Sequence, residues 1–536
     1  MMDVQLTLQE VIGRAVDLYP DREIVTKQPD GSIHRYTYAD AYERMCQLAH
    51  AMDELGVDRG ERIATVAMNN FRHLELYFAP ANSGRSLHMC NMRLPMEHFV
   101  HTIEDAGDRV VFVDPAFVEK VEAAAPELDS VEQYVVLGDA VPDTSLEPVV
   151  AYEDLIDGQP TEYDWPDLDE DQPAGMCYTS GTTGRPKGVE YTHKMLWSHT
   201  MESLSPAGIP MADDDVVMPV VPMFHVNAWG MPFTATAGGA KHVYPGPSPD
   251  AEDLAHLIEE EGVTITAGVP TVWLGLMEYA KENDVDLSTL DSAIVGGSAA
   301  PRSMIEWFDD HDVELLHAWG MTEMSPIGSV AHLKAGLEDE PYEEQLNRRS
   351  KQGLFVPGLE FRVVDDDGEE VPWNGEDFGE LYVRGPSVTT EYFERPDANE
   401  EDFEDGWLKT GDIVSVDGEG YIKIVDRADD VIKSGGEWIS SVELENSIMA
   451  HDDVSEAAVV GVPHEKWQER PVAFVVPVEG ADEEAVREGV YEMLADEYPK
   501  WWLPDEIVFI DEVPKTATGK FSKKDLREEF ADASLI

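Results

Sequence analysis

Short β-branched runs alternate with longer amphipathic stretches over the first two thirds of the chain. Residues 62–66 (Arg-Ile-Ala-Thr-Val), 110–113, 134–137 and 293–295 are too short and too evenly apolar for one helix face, so they predict buried strands. Residues 39–55 and 253–261 instead carry apolar side chains at three- and four-residue spacing, which predicts helices with one buried stripe. Such alternation predicts an α/β architecture with mostly parallel sheets, because parallel neighbours need a crossover long enough to hold a helix. From about Gly353 the texture changes to short strands at 361–364, 379–383 and 421–425, separated by Asp-Gly pairs at 367, 405 and 417 that predict tight turns. A last segment offers strands at 457–460, 472–476 and 507–510 and a charged C-terminal helix. The predicted organisation is a large N-terminal domain, residues 1–426, made of two α/β subdomains and a β-rich, barrel-like one. A small α+β C-terminal domain, residues 427–536, follows.

Composition sharpens this. The 536 residues exceed one ordinary core, and 43% hydrophobic content supplies several, so the acidity does not mark a disordered tail. Asp and Glu number 109 against 38 Lys and Arg, a formal charge of −71. A negative field of that size repels phosphate backbones and anionic lipid, which argues against nucleic-acid and membrane-surface roles. The acids are spread in small groups, as at 213–215, 365–367 and 400–402, and so predict a solvated surface. Depletion of Lys and Arg in such a chain resembles proteins of extreme halophiles, and predicts loosening when salt no longer screens self-repulsion. The three cysteines, Cys46, Cys90 and Cys177, lack paired spacing, which argues against zinc ribbons and disulfide frameworks and fits a reducing cytoplasm. No basic leader opens the chain, and the longest apolar stretch, 216–224, is broken by Pro219 and Pro222, so a soluble cytoplasmic protein without a transmembrane segment is expected.

Two stretches carry candidate chemistry. Residues 178–188 read Tyr-Thr-Ser-Gly-Thr-Thr-Gly-Arg-Pro-Lys-Gly: glycines that let the backbone bend toward a ligand, hydroxyls at Thr179, Ser180, Thr182 and Thr183, and a lysine at 187. Such a loop suits a polyphosphate, although Pro186 stands where a Walker A loop needs its second glycine. Near the C-terminus Lys515, Lys520, Lys523, Lys524 and Arg527 crowd basic charge into thirteen positions of a base-poor chain. A solvated final helix accounts for Lys523 and Lys524. The small-residue turn 516–519 sets Lys520 apart as a side chain that can reach a cleft.

Further motifs follow in order: Pro222-Met223-Phe224-His225, 296–301 (Gly-Gly-Ser-Ala-Ala-Pro), 317–323 (His-Ala-Trp-Gly-Met-Thr-Glu), 407–412 (Trp-Leu-Lys-Thr-Gly-Asp), 426–437 and 514–520. Taken together with the glycine-rich loop, this ordered set resembles the adenylate-forming superfamily of acyl-CoA synthetases, peptide-synthetase adenylation domains and luciferases, over nearly the whole chain. Residues 222–230, 295–301, 319–326 and 434–440 are most similar to medium- and long-chain fatty-acyl-CoA synthetases and their methylthioalkanoate-activating relatives.

The resemblance implies a reaction and a set of roles. A carboxylate attacks the α-phosphate of Mg-ATP to give acyl-AMP and pyrophosphate, and the CoA thiol then displaces AMP. By analogy Thr179, Ser180, Gly181, Thr182, Thr183, Gly184 and Lys187 hold phosphates, while Thr179 and Glu323 place Mg²⁺, a hard cation that takes oxygen ligands. Trp319 stacks on adenine, in the position where most of the family has Tyr. Gly297, Ser298, Ala299, His317, Ala318, Gly320, Met321 and Thr322 close that slot, and Asp412 and Arg427 take the ribose. Lys520 stabilises charge moving between carboxylate and α-phosphate. The C-terminal domain is implied to be mobile, turning about a hinge at Asp429. Lys433, Gly435, Gly436, Glu437 and Trp438 then face the adenylate and CoA. His225, Val226, Trp229 and Gly230 line the acyl path, with packing as the alternative for His225. A homodimer is implied by analogy alone.

Other readings remain. Gly296-x-Ser298-x-Ala300 half resembles a nucleophile elbow, but its final glycine is missing. His464-Glu465 has no second histidine at zincin spacing. A carrier-loading enzyme predicts a serine-bearing carrier motif, none of which follows Lys520. A nucleotide-binding pseudoenzyme predicts damaged motifs, yet Lys187, Glu323, Asp412, Arg427 and Lys520 are all in place.

Overall fold

The computed structural model describes residues 2, 4–179, 185–365, 367–428, 430–435, 437–451, 453–464, 466–478, 480–515 and 521–530, except the side chains of Glu437 and Trp438. These fall into two compact units, one of Met1–Thr179, Arg185–Glu360 and Arg384–Leu408, the other including Phe361–Val383 and Lys409–Ile536.

The first unit contains a seven-stranded and a nine-stranded sheet. In the seven-stranded sheet Arg62–Val66 lies parallel to Ser86–Met89 on one side and Val110–Val113 on the other, with Ile63 opposite Leu87 and Val110. Burial of both faces explains why this strand reads as an unbroken apolar run. The nine-stranded sheet sets Val216–Pro219, Ile265–Gly268, Ser292–Val295 and Glu314–Gly320 side by side and parallel. Both sheets are mixed. Gly188–Thr192 pairs antiparallel with Pro173–Tyr178, Ile327–Val330 with Glu314–Gly320, and Ile33–Thr37 with Glu23–Lys27. Helices on these sheets start where the sequence supplies a cap. The Thr37 hydroxyl accepts from Asp40 N at 3.2 Å at the start of Tyr38–Glu54, and Asp250 accepts from Asp253 N at 2.8 Å at the start of Ala251–Glu261.

This parallel core positions the chemistry. The loops at 220–230, 296–301 and 320–326 leave the carboxyl ends of Val216–Pro219, Ser292–Val295 and Glu314–Gly320, three of these four parallel strands, at the edge where open α/β sheets bind ligands.

In the second unit residues 412–416 of strand Trp407–Val416 pair antiparallel with Ile422–Arg427, which sets Asp412 opposite Arg427. A further sheet runs Glu437–Ile439, Ile432–Ser434, Gln468–Pro477, Val454–His464, with Glu506–Phe509 parallel to Gln468–Pro477. Helix Ser441–Met449 buries Leu444 and Ile448 in one small core with Val459 and Val475. Helix Lys523–Glu529 inserts Leu526 among Val460, Val472 and Phe474 in another.

Candidate active site

Strand Pro173–Tyr178 ends at Thr179, whose backbone N–H donates to Lys187 O at 2.9 Å and whose hydroxyl accepts from Lys187 N at 3.1 Å. These bonds fasten the two ends of the glycine-rich loop; residues 180–184 between them lie outside the described residues. The Lys187 ammonium donates to Asp402 Oδ2 at 2.6 Å and stands 4.1 Å from the centre of the Tyr392 ring. Tyr392 donates its hydroxyl to Glu323 Oε1 at 2.7 Å. Burial, then the charges of Glu323 and Asp402, drive the Tyr392 phenol far above its ordinary range, so it remains a proton donor. A cation, a phenol and a buried carboxylate thus stand in a row. Thr389 N also donates to the Glu323 carbonyl at 2.8 Å, holding this short helical turn from behind.

The residues expected beside adenine lie in the same unit. Trp319 is buried, edge-on to Phe355 at 6.0 Å between ring centres, with its six-membered ring over Gly328, where an added Cβ would come within 2.7 Å. His317 is buried and neutral, its pKa pushed down to about 4 chiefly by burial, against backbone hydrogen bonds that include Ser350. Gly297 takes a left-handed φ of 83° and is exposed, as is Ser298, which leaves their backbone open to a ligand edge. Ala299 is half-buried and Ala318 buried. Gly320 is exposed, Met321 and Thr322 are half-buried, and Tyr191 donates to Thr322 O at 2.8 Å.

His225, Val226, Trp229 and Gly230 occupy one turn. His225 is half-buried, and the next four residues all have positive φ: Val226 38°, Asn227 59°, Ala228 47° and Trp229 56°, then Gly230 75°. An L-residue in this region costs about 1–2 kcal/mol, so the turn holds backbone strain. Gly230 is required there, because a Cβ would come within 2.7 Å of His199 Nδ1. Trp229 is buried against Gly296, where an added Cβ would meet its indole at 3.2 Å and the Ala318 carbonyl oxygen at 2.8 Å. Trp229, expected on the acyl path, is therefore a neighbour of Ala318, expected beside adenine.

In the second unit Asp412, 4% exposed, accepts from Arg427 Nη1 at 2.7 Å and from its own side of the strand is fixed by Thr410 Oγ1, which accepts from Asp412 N at 3.1 Å. The Arg427 guanidinium is half exposed. Lys433 is exposed on the tight hairpin Ile432–Ser434/Glu437–Ile439, opposite Trp438 in backbone register, and Gly435 has φ 66° with its N–H donating to Trp467 O at 2.8 Å. Asp429, Gly436 and Lys520 lie outside the described residues, as do the side chains of Glu437 and Trp438.

The sequence profile of the AMP-binding enzyme family matches residues 12–393, and that of the AMP-binding enzyme C-terminal domain matches residues 443–520. The chain belongs to the AMP-binding enzyme family. A long-chain-fatty-acid–CoA ligase of Thermus thermophilus is 44% identical over 99% of this chain and 96% of its own length. A 3-methylmercaptopropionyl-CoA ligase of Ruegeria lacuscaerulensis is 42% identical over 99% of each. The crystal structure of an anthranilate CoA ligase with anthranoyl-AMP matches at a TM-score of 0.89 and 25% identity, over 100% of this chain and 99% of that one.

For an AMP-binding enzyme, the donors fit the implied Mg²⁺: the Glu323 carboxylate keeps acceptor capacity beyond its bond from Tyr392, and Thr179 adds a hydroxyl, both hard oxygens. His88, Cys90 and Asp108 also group together, but all are fully buried and His88 Nδ1 already meets Asp108 Oδ2 at 2.6 Å, a core pair rather than an AMP-site cation cage. Sequence reasoning missed Tyr392 and Asp402, which hold Glu323 and Lys187 from 69 and 215 residues away and carry no local signal. It also misread Lys523, which is buried rather than solvated. Lys524 is half exposed beside Glu528, as a solvated helix requires.

Proposed function

We propose that this AMP-binding enzyme is a fatty-acid:CoA ligase for medium- or long-chain acids, using ATP to form acyl-AMP and pyrophosphate and then CoA to form the thioester. The observation that supports this reading is Trp229 packed against Gly296: we assign Trp229 to the acyl wall and the residues next to Gly296 to the adenine wall, and a mixed anhydride must span both. The first step joins two anions, so the chain's task is neutralisation and alignment. Lys187 and the loop at 180–184 bind the β- and γ-phosphates. Glu323 and Thr179 would hold Mg²⁺, which supplies positive charge against the phosphate oxygens. Trp319 faces adenine, Asp412 and Arg427 take the ribose hydroxyls, and Lys520 stabilises charge at the α-phosphate. For the second step Lys433 and the 435–437 turn face the adenylate and pantetheine, with a domain boundary at 426/427 and a hinge at Asp429. No helix among the described residues is long and apolar enough to cross a membrane. Cytoplasmic location, a homodimer and salt adaptation belong to the same proposal.

Fatty-acid-dependent AMP release in molar KCl, with and without CoA, tests it across acids from acetate to stearate plus methylthiopropionate. Expected is AMP appearing together with thioester, strongest for acids of medium or long chain. The 42% identity to a 3-methylmercaptopropionyl-CoA ligase favours a second reading, the same chemistry on a short sulfur-containing acid, and preference for methylthiopropionate in that panel would select it. AMP release with no acid of the panel would refute both. Lys520→Ala should abolish acyl-AMP formation yet still convert supplied acyl-AMP and CoA to thioester.

A further inference from the structure

Three of the C-terminal basic residues are tethers around one loop. Its feet are closed by Ser522 N donating to Pro514 O at 2.7 Å and by a bridge between Lys515 and Phe521. On the entry foot the Lys515 ammonium donates to Glu456 Oε1 at 2.6 Å. On the exit side Arg527 meets Asp430 at 2.5 Å. Lys523, at the first position of the last helix, is 9% exposed and turned into the unit. Its ammonium lies 2.9 Å from Glu445 and 3.8 Å from Asp426, and donates to the Ser441 hydroxyl. Ser441 in turn donates its N–H to Asp426 Oδ2 at 2.7 Å, and Glu445 accepts Val459 N at 2.7 Å. One buried ammonium thus joins the end of strand Ile422–Arg427, helix Ser441–Met449 and the last helix.

A buried ion pair is a poor source of net stability, because desolvation offsets the Coulomb gain and apolar replacements often do as well. Its directional bonds do fix the relative position of the elements it joins. Lys523 stands three residues after Lys520, which the proposed function assigns to adenylation. We propose that Lys523 is a positioning residue for that half-reaction: its anchorage to Asp426, Ser441 and Glu445 holds the exit foot of the Lys520 loop. This rests on the proposed role of Lys520.

The test compares Lys523→Met, Lys523→Arg and Lys520→Ala in the full chain, measuring pyrophosphate release without CoA and thioester formation from supplied acyl-AMP. A misplacement of about 1 Å can cost about 100-fold. Expected for Lys523→Met is a loss of about 10- to 100-fold in kcat of adenylation, with KM for ATP little changed and the thioester half within about twofold, and partial rescue in Lys523→Arg. Equal loss of both halves, or no loss, overturns the proposal. Should Lys523→Met fail to fold, Lys523→Arg decides, since it keeps the charge but displaces the helix: a selective fall in adenylation supports the positioning role, and unchanged adenylation overturns it. Lys520→Ala separates the two readings: intact adenylation there removes the Lys520 assignment itself, whereas loss there with none in the Lys523 variants removes only the positioning role.

Discussion

Glu202 shows what burial does to one group. It is buried beside Gly358, and loss of hydration pushes its carboxyl from 4.5 up to about 7, with the Ser387 hydroxyl working against the rise. The folded-state pKa is the higher one, so stability is fullest below about pH 4.5 and is lost as pH rises through 7. Glu202→Gln imitates the protonated form. It should raise thermal stability at pH 8, by at most about 3 kcal/mol from the size of that shift, and leave it unchanged near pH 4.5. Equal melting shifts at both pH values would contradict this. His199 has the opposite sign: burial lowers its pKa to about 3, its stability contribution is present above 6.5, and it is lost as pH falls toward 3. At the site, Gly328→Ala would drive a Cβ into the Trp319 ring, so the KM for ATP should rise several-fold in steady-state assays while that for the acid moves less. Trp229→Ala should do the reverse, and equal changes in both constants would place Trp229 elsewhere.

At the scale of elements, the left-handed turn Val226–Gly230 is the clearest conflict between propensity and structure. Valine and tryptophan disfavour positive φ, and the apolar pattern of 222–230 announces no such turn. It persists because the surrounding core holds it: Trp229 is locked on Gly296 and Gly230 on His199. Gly230→Ala combines a strained φ with overlap on the imidazole, so a loss of about 1–3 kcal/mol is expected, readable as a lowered Tm. The regular elements were far more legible. Strand Arg62–Val66 has the predicted bounds and helix Tyr38–Glu54 begins one residue early, because apolar periodicity is a local signal. The antiparallel margins of both sheets were not legible, since parallel and antiparallel pairing place the same demands on a short apolar strand.

At the scale of the whole molecule, 109 acidic residues against 38 basic ones set the solution behaviour. Screening reaches about 10 Å in 0.1 M salt and about 3 Å in 1 M, so self-repulsion should weaken steeply between them. Melting temperature is expected to rise from dilute buffer to molar KCl; equal values would refute salt adaptation. The amino-acid sequence by itself determined the kinds and order of the elements and the formal charge, because periodicity, glycine placement and composition act within a few residues. Only the tertiary structure decided that Asp402 holds Lys187, that Tyr392 holds Glu323, and that Lys523 turns inward to Glu445. Those contacts join residues 69 to 215 positions apart, and no local pattern encodes which distant side chains a closed fold will bring within hydrogen-bond reach.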